Sequence, residues 1–431
     1  MRRSRRLFAV IESWLIAVGV LAMVVSAGAL IRPEVCVLSN ESNPALAART
    51  EDSQHSRHPS VQIRSVPRAL TFSPAFKHVI EPARLGAILR NLVPRSQKQT
   101  IGIGTASHAL RLWGRHADFD RVGVNSSANP SSERQFPSSE LIGLLLNNNQ
   151  FRLMYPESAP LLSRTEHGIA IRVAAFSAAS GVPELEVDAQ PHIDKVLSVA
   201  GEIGIPAAYE VLADDRSGAI SDVVSDALHL VYLAQEIEFT TKALLLYLEL
   251  PAQWTVRDGS VISTDDLLMR LVKHRIDARP CFGTHRCLVL AMAAQIDRGV
   301  PFLGESVRKA VAVAIRDASL MLEGSQHFDG SWGTDWTAGT ATGDDEGHAT
   351  ELLASAVVTG HHLEWIAVAP DDLRPSALSV ERAIVWLQSA LSVQPPQFYL
   401  EHYGPLTHAA RALVILSGSD AFDLAFQKSR K

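Results

Sequence analysis

The rhythm of apolar and polar positions changes several times along the chain. Residues 7–31 (LFAVIESWLIAVGVLAMVVSAGALI) form one apolar run, broken among polar side chains only by Glu12, Ser13 and Ser26. At about 1.5 Å per helical residue, roughly 20 residues cross a bilayer's hydrocarbon core, so this run is long enough to span one. Residues 33–64 are rich in Ser, Asn, Glu and Pro without a sustained period, which predicts a disordered tether. Residues 65–138 are less defined: a short helical prospect at 82–92 precedes a polar stretch at 122–139 (VGVNSSANPSSERQFPSS) that reads as a long surface loop. From 139 to 431 apolar residues recur at i, i+3, i+4 and i+7 and strand signals almost vanish, so an all-α body is expected. Ser263 stands before Thr264-Asp265-Asp266 as a capping box, Ser379 precedes Val380-Glu381 in the same manner, and Gly360 is a plausible helix stop.

The flanks of the apolar run orient it. Arg2, Arg3, Arg5 and Arg6 precede it and only Arg32 follows closely, which keeps the N-terminus in the cytoplasm and sends the body outside. Residues 1–32 are then either an uncleaved signal anchor, giving a single-pass membrane protein, or a signal peptide cut near Ser26-Ala27-Gly28-Ala29, giving a secreted one. Residues 4–8 (SRRLF) also resemble a twin-arginine export signal. The remaining composition mainly excludes. A net charge of −6 with pI near 6.2 leaves no broad basic surface, so nucleic acid is not an expected partner. Cys36, Cys281 and Cys287 are too few and too scattered for a disulfide framework.

Three of the later amphipathic segments begin with Thr or Gly followed by His: Thr284-His285, Gly347-His348 and Thr407-His408, spaced by 63 and then 60 residues. A two-helix unit of about 60 residues is a mark of stacked helical hairpins, which run as an open solenoid or close into a ring. If they close, His285, His348 and His408 converge at matching ends of inner helices.

Residues 326–336 read QHFDGSWGTDW, with Gln326, Gly330 and Trp332 at the places of a glycine-aromatic repeat and Asp329 beside them. This resembles the QW repeat of squalene and hopene cyclases and the related turns of protein prenyltransferases. A weaker likeness extends through GHHLEW (360–365) and HYGPLTHAARAL (402–413). The resemblance implies an α/α toroid over 139–431 and leaves the N-terminal half uncovered. It does not carry the family's chemistry across: the cyclases' acidic DxDD string is absent, and Cys281 has Arg279, not Asp, two residues before it, unlike the prenyltransferase zinc set.

The candidate chemistry lies at the proposed ring mouth. His285, His348, His408 and Asp345 are the catalytic candidates, since imidazole at a helix N-terminus tends to be neutral and fit for proton transfer. Trp332, Trp336, Asp344 and Glu351 are candidates for ligand contact. Cys281 with His285 is the zinc candidate, although no metal or other cofactor is demanded by the sequence. In GHHLEW a His/Glu pair three apart could bind an ion on one helical face. The bland alternatives are that the histidines cap helices, that Cys287 is core, and that His361, His362 and Glu364 cap a turn while Leu363 and Trp365 pack. The expected function is that of a membrane-anchored extracytoplasmic repeat protein binding a small molecule, glycan or protein in or beside the toroid. The alternatives are an enzyme acting on an isoprenoid-like or polysaccharide substrate in a central cavity, and a cell-envelope scaffold.

Overall fold

A computed structural model describes residues 61–96, 100–119, 134–174, 188–214, 216–231, 236–273, 281–339 and 349–426, all within the unit 57–431. The apolar run at 7–31 and most of the polar stretch at 122–139 lie outside the described residues. Among the described residues no helix is long and apolar enough to cross a membrane.

The body is mainly helical, as the periodicity predicts. In chain order the helices are α1 (Pro82–Asn91), α2 (Ile103–Trp113), α3 (Ser138–Leu146), α4 (Asn148–Met154), α5 (Lys195–Glu202), α6 (Ile220–Leu230), α7 (Glu238–Tyr247) and α8 (Thr264–Lys273). They continue with α9 (Thr284–Gly299), α10 (Glu305–Ser325), α11 (Ala349–Val368), α12 (Ala377–Ser392), α13 (Pro396–Glu401), α14 (Tyr403–Ser417) and α15 (Ala421–Phe426). Short strands that the helical period hid form four two-stranded antiparallel sheets: β1 (Arg95–Ser96) with β2 (Arg134–Gln135), β3 (Leu162–Arg164) with β4 (Ile169–Ile171), β5 (Glu210–Ala213) with β6 (Arg216–Ala219), and β7 (Gln253–Thr255) with β8 (Val261–Ser263). The last pair sets Trp254 opposite Ile262, and the Trp254 indole donates to Leu228 O at 2.9 Å.

Six helices pack in succession: α2 on α5, α5 on α7, α7 on α9, α9 on α11, α11 on α14, and α14 back on α2. The other long helices lie against the backs of these. α6 packs on α5 and α7, α10 on α9, α12 on α11, and α1 on α14. Two sequence boundaries therefore move. α1 and α2, from the poorly defined segment 65–138, are integral to the same body, and residues 61–64, the described end of the expected tether, run along it together with 65–73. Arg64 N donates to Tyr247 O, Arg68 N to Leu246 O and Ser73 N to Ala367 O.

Local signals behave unequally. At α8 the expected capping box forms, with Asp266 N donating to Ser263 Oγ and Ser263 N to Asp266 Oδ2. Ser379 is no cap: α12 starts at Ala377, and the Ser379 hydroxyl turns to Gln326 Oε1. Gly360 is no stop either. α11 runs straight through it, because a Cβ there would sit 2.5 Å from Ala409 Cα, so the glycine is what lets α11 and α14 approach closely.

The QW-like turn is built as its residues suggest. Gly330 adopts φ +102°, and a Cβ on it would meet Arg382 O at 2.7 Å. Gln326 donates to Gly330 O and to Ser379 O, tying the turn to the first turn of α12. Trp332 is fully buried, its indole donating to Leu322 O at 3.0 Å.

Candidate functional site

Each of the six successive helices puts at least one polar or ionisable side chain on its buried face. α2 supplies His108 and Arg111, α5 Lys195 and Glu202, α7 Lys242, α9 His285, α11 His361 and Glu364, and α14 His408 and Arg411. On three helices the pair is a histidine and a charged residue three positions on, which helical geometry sets on one face.

The imidazoles form a contiguous group. Ring centroids of His361 and His408 are 3.8 Å apart, those of His285 and His361 4.9 Å, of His285 and His408 5.8 Å, and of His108 and His408 4.7 Å. His285 and His408, predicted to converge, do so. His348, Asp344 and Asp345 lie outside the described residues, and Glu351 falls in α11 with its side chain undescribed. The capping alternative does not hold for the two visible histidines: both are buried, and His408 sits in the second turn of α14 rather than at its start. His361, His362 and Glu364 do not cap a turn either, since all three are interior to α11. Trp332 and Trp336, candidates for ligand contact, are wholly buried against His362, at 5.7 Å and 4.5 Å between rings. Their observed role is packing.

Cys281 opens a short 3₁₀ turn, Cys281–Gly283, that leads straight into α9. Its φ is +49°, a left-handed conformation that a side chain adopts at a cost of about 1–3 kcal/mol, and Thr284 Oγ1 holds the turn by donating to Cys281 O at 2.7 Å. Cys281 is partly exposed, in contrast to Cys287, which is core as its alternative reading had it and whose thiol burial pushes up to about 12. A donor atom of His361 lies within 4.8 Å of the Cys281 sulfur, and His361 Nδ1 is 3.6 Å from Glu364 Oε2. Burial alone would drive the His361 imidazole down, yet Cys281 and Glu364 outweigh it and raise it to about 9. Burial drives His108, His285 and His408 each well below the ordinary imidazole range, His408 in spite of Glu364 beside it.

A charge network holds Glu364 in place. Arg411 Nη1 donates to Glu364 Oε1 at 2.8 Å and Arg111 Nη2 at 3.3 Å, while His408 Nδ1 lies 3.0 Å from Oε2. Arg111 also reaches Glu202 at 2.6 Å, which Lys242 (3.3 Å) and Arg411 (3.5 Å) approach as well. Burial pushes both carboxyls up, but the guanidinium and ammonium groups outweigh it and hold both well below the usual carboxylate range. Lys195 stands apart. Its ammonium donates to His108 Nε2 at 2.9 Å, and burial pushes it down to about 7.

Two chemistries suit these residues. Donor atoms of Cys281, His285 and His361 lie within 4.8 Å of one another, and so do those of His361, Glu364 and His408. Three ligands with an open fourth position are what a catalytic zinc takes, and Glu364 beside His361 would be the usual outer carboxylate. Equally, a thiol, an imidazole and a carboxylate gathered this closely can serve as a nucleophile, its base and the base's orienting group. Sequence reasoning found Cys281, His285 and His408 but missed Arg111, Arg411, Glu202, Lys195 and His108. The recoverable signal was the repeated spacing HALR (108–111), HHLE (361–364) and HAAR (408–411), a charge recurring inside apolar helical stripes.

No family model, curated protein or solved structure matches this chain.

Proposed function

We propose that the chain is a membrane-anchored, extracytoplasmic enzyme with the α/α-toroid build of the squalene-cyclase and prenyltransferase repeats, and that Cys281 is its nucleophile for acyl transfer. The observation that carries the reading is the strained, partly exposed Cys281 with a His361 donor atom within 4.8 Å of its sulfur and Glu364 Oε2 3.6 Å from His361 Nδ1. The toroid is supported by six helices whose succession of contacts returns to its start, and by the QW-like turn at 326–336.

An inert scaffold would have little use for such an interior. Burying ion pairs costs several kcal/mol per charge in desolvation, and well-packed aliphatic side chains serve stability as well or better. Groups of this kind gather where chemistry or binding needs them. The enzyme reading is therefore favoured over scaffolding and over simple ligand binding.

In the proposed step the Cys281 sulfur attacks the carbonyl carbon of an ester or amide, forming a C–S bond as the carbonyl π pair moves to oxygen. As that pair returns, the C–O or C–N bond breaks and the leaving group takes a proton from His361. Water then adds to the thioester, gives a proton to His361, and the acid departs as the thiolate reforms. The N-terminal end of α9 favours negative charge at Cys281.

Zinc is the second reading, favoured by the spacing of the Cys281, His285 and His361 donors. It ranks lower because Arg111, Arg411, Lys242 and Lys195 already crowd this interior with positive charge. The test is peptide-mapped alkylation of the folded, full-length protein with iodoacetamide at pH 6. We expect Cys281 to react at least about tenfold faster than glutathione, and His361→Ala to remove that advantage. An unreactive Cys281, or stoichiometric zinc in the purified protein, would overturn the thiol reading.

A further inference from the structure

Resting on that thiol reading, we infer that Lys195 recognises a carboxylate, so that the acyl donors attacked by Cys281 carry a carboxylate close to the bond that breaks. The argument starts from which buried cations have partners. Arg111, Arg411 and Lys242 each face Glu202, Glu364 or both within ion-pair distance. Lys195 is as deeply buried as any of them, and no carboxylate among the described residues pairs with it. Its polar partner is the His108 imidazole, which burial keeps neutral.

The hydrogen-bond partner of the Lys195 ammonium is a neutral ring, and Glu236, the carboxylate whose charge also reaches it, lies 2.9 Å from His192 instead, whereas buried charges are as a rule paired. Asp194, its neighbour in the chain, is taken by Thr240, whose hydroxyl donates to Asp194 Oδ2 at 2.5 Å. His108 stands edge-on to His408 at 4.7 Å between ring centroids, and His408 lies 3.8 Å from His361, whose donor atom is within 4.8 Å of the Cys281 sulfur, so Lys195 adjoins the same imidazole group as the nucleophile.

The partner's chemistry follows from what surrounds it. A phosphate dianion is ordinarily met by forked guanidinium pairs or several backbone N–H groups, but both Arg111 and Arg411 are already committed to carboxylates. One ammonium with three donors, one of them used on His108, suits a single monoanionic carboxylate.

Charge-selective alkylation of Cys281 reads this without knowledge of the natural substrate. Iodoacetate and iodoacetamide both place CH₂ on sulfur and release iodide, and they differ in carrying a carboxylate or an amide. On the intact protein at pH 7, the iodoacetate-to-iodoacetamide rate ratio at Cys281 should exceed that of glutathione by about tenfold or more. Lys195→Met should bring the ratio down to the glutathione value, while Lys195→Arg should retain most of it. Acetate, but not phosphate or chloride at equal ionic strength, should slow alkylation by iodoacetamide.

A reactive Cys281 without a preference for iodoacetate would overturn the carboxylate inference and leave the thiol reading intact, as would a preference that survives in Lys195→Met. Protection by phosphate equal to that by acetate would also overturn it. A Cys281 inert to both reagents would sink the thiol reading itself.

Discussion

At the scale of single residues, Glu364 joins two jobs that can be separated by experiment. It accepts from Arg111 and Arg411, and it faces both His361 and His408. Replacing it with Gln keeps the shape and removes the charge. Two buried guanidinium groups then lose a counter-charge, and breaking a buried pair in this way costs about 3–5 kcal/mol, which urea unfolding would register. His361 would also lose its orienting carboxylate, so alkylation of Cys281 should slow by about tenfold or more in whatever fraction stays folded. Unchanged alkylation with lowered stability would mean that Glu364 serves only the ion network. The carboxylate was visible in the sequence, but its role was not. GHHLEW looked like a turn because Gly360 is usually a helix breaker, and a glycine chosen for close packing carries the same letter as one chosen for a stop.

Between elements, that same glycine sets how near α11 can come to α14. A methyl group at position 360 would sit 2.5 Å from Ala409 Cα, a distance that neither backbone can absorb without moving. Gly360→Ala should therefore destabilise by about 1–3 kcal/mol, despite alanine's better helix propensity, because overpacking outweighs the roughly 1 kcal/mol gained in the helix interior. A stabilised variant in a denaturant titration would refute the close-packing account. Helix type and most helix positions were legible in the sequence because a 3.6-residue apolar period survives any tertiary arrangement. α1 forms where the short helical pattern at 82–92 expects it, whereas α2 is short and leaves no distinct signal. The two-residue and three-residue strands were invisible, because pairing across a turn leaves almost no periodic trace at that length. The meeting of His285 with His408 was legible from spacing alone. His108 was not, since it lies on α2, outside the roughly 60-residue spacing that links His285, His348 and His408.

For the whole molecule, the ion network ties together helices that are far apart in sequence. Arg111 on α2, Glu202 on α5, Lys242 on α7, Glu364 on α11 and Arg411 on α14 form one connected set. Glu202 and Glu364 have depressed folded pKa values, so their contribution is complete above the unfolded value near 4.3 and is lost as pH falls toward their folded values. Because the carboxylates are shared among these helices, acid should release them together: far-UV circular dichroism and the fluorescence of Trp332, Trp336 and Trp365 should follow one transition below about pH 4.3. Lys195 acts at the other end of the scale. Its folded value is lowered to about 7, so its contribution is fully present only above the unfolded lysine value and is lost as pH falls through 7. Burial lowers it most, Arg111 and Lys242 lower it further, Cys281 and Glu236 act against them, and His108 is its hydrogen-bond partner, while His361, raised to about 9, loses its own contribution as pH rises. Comparing wild type with Lys195→Met lets the terms common to both cancel to first order. Over pH 7 to 8.5 the stability difference between them should shift in favour of wild type, by at most about 1.4 kcal/mol per pH unit. A difference that stays flat across that window would mean that Lys195 keeps its proton in the folded protein, paired with an anion that the described residues do not supply.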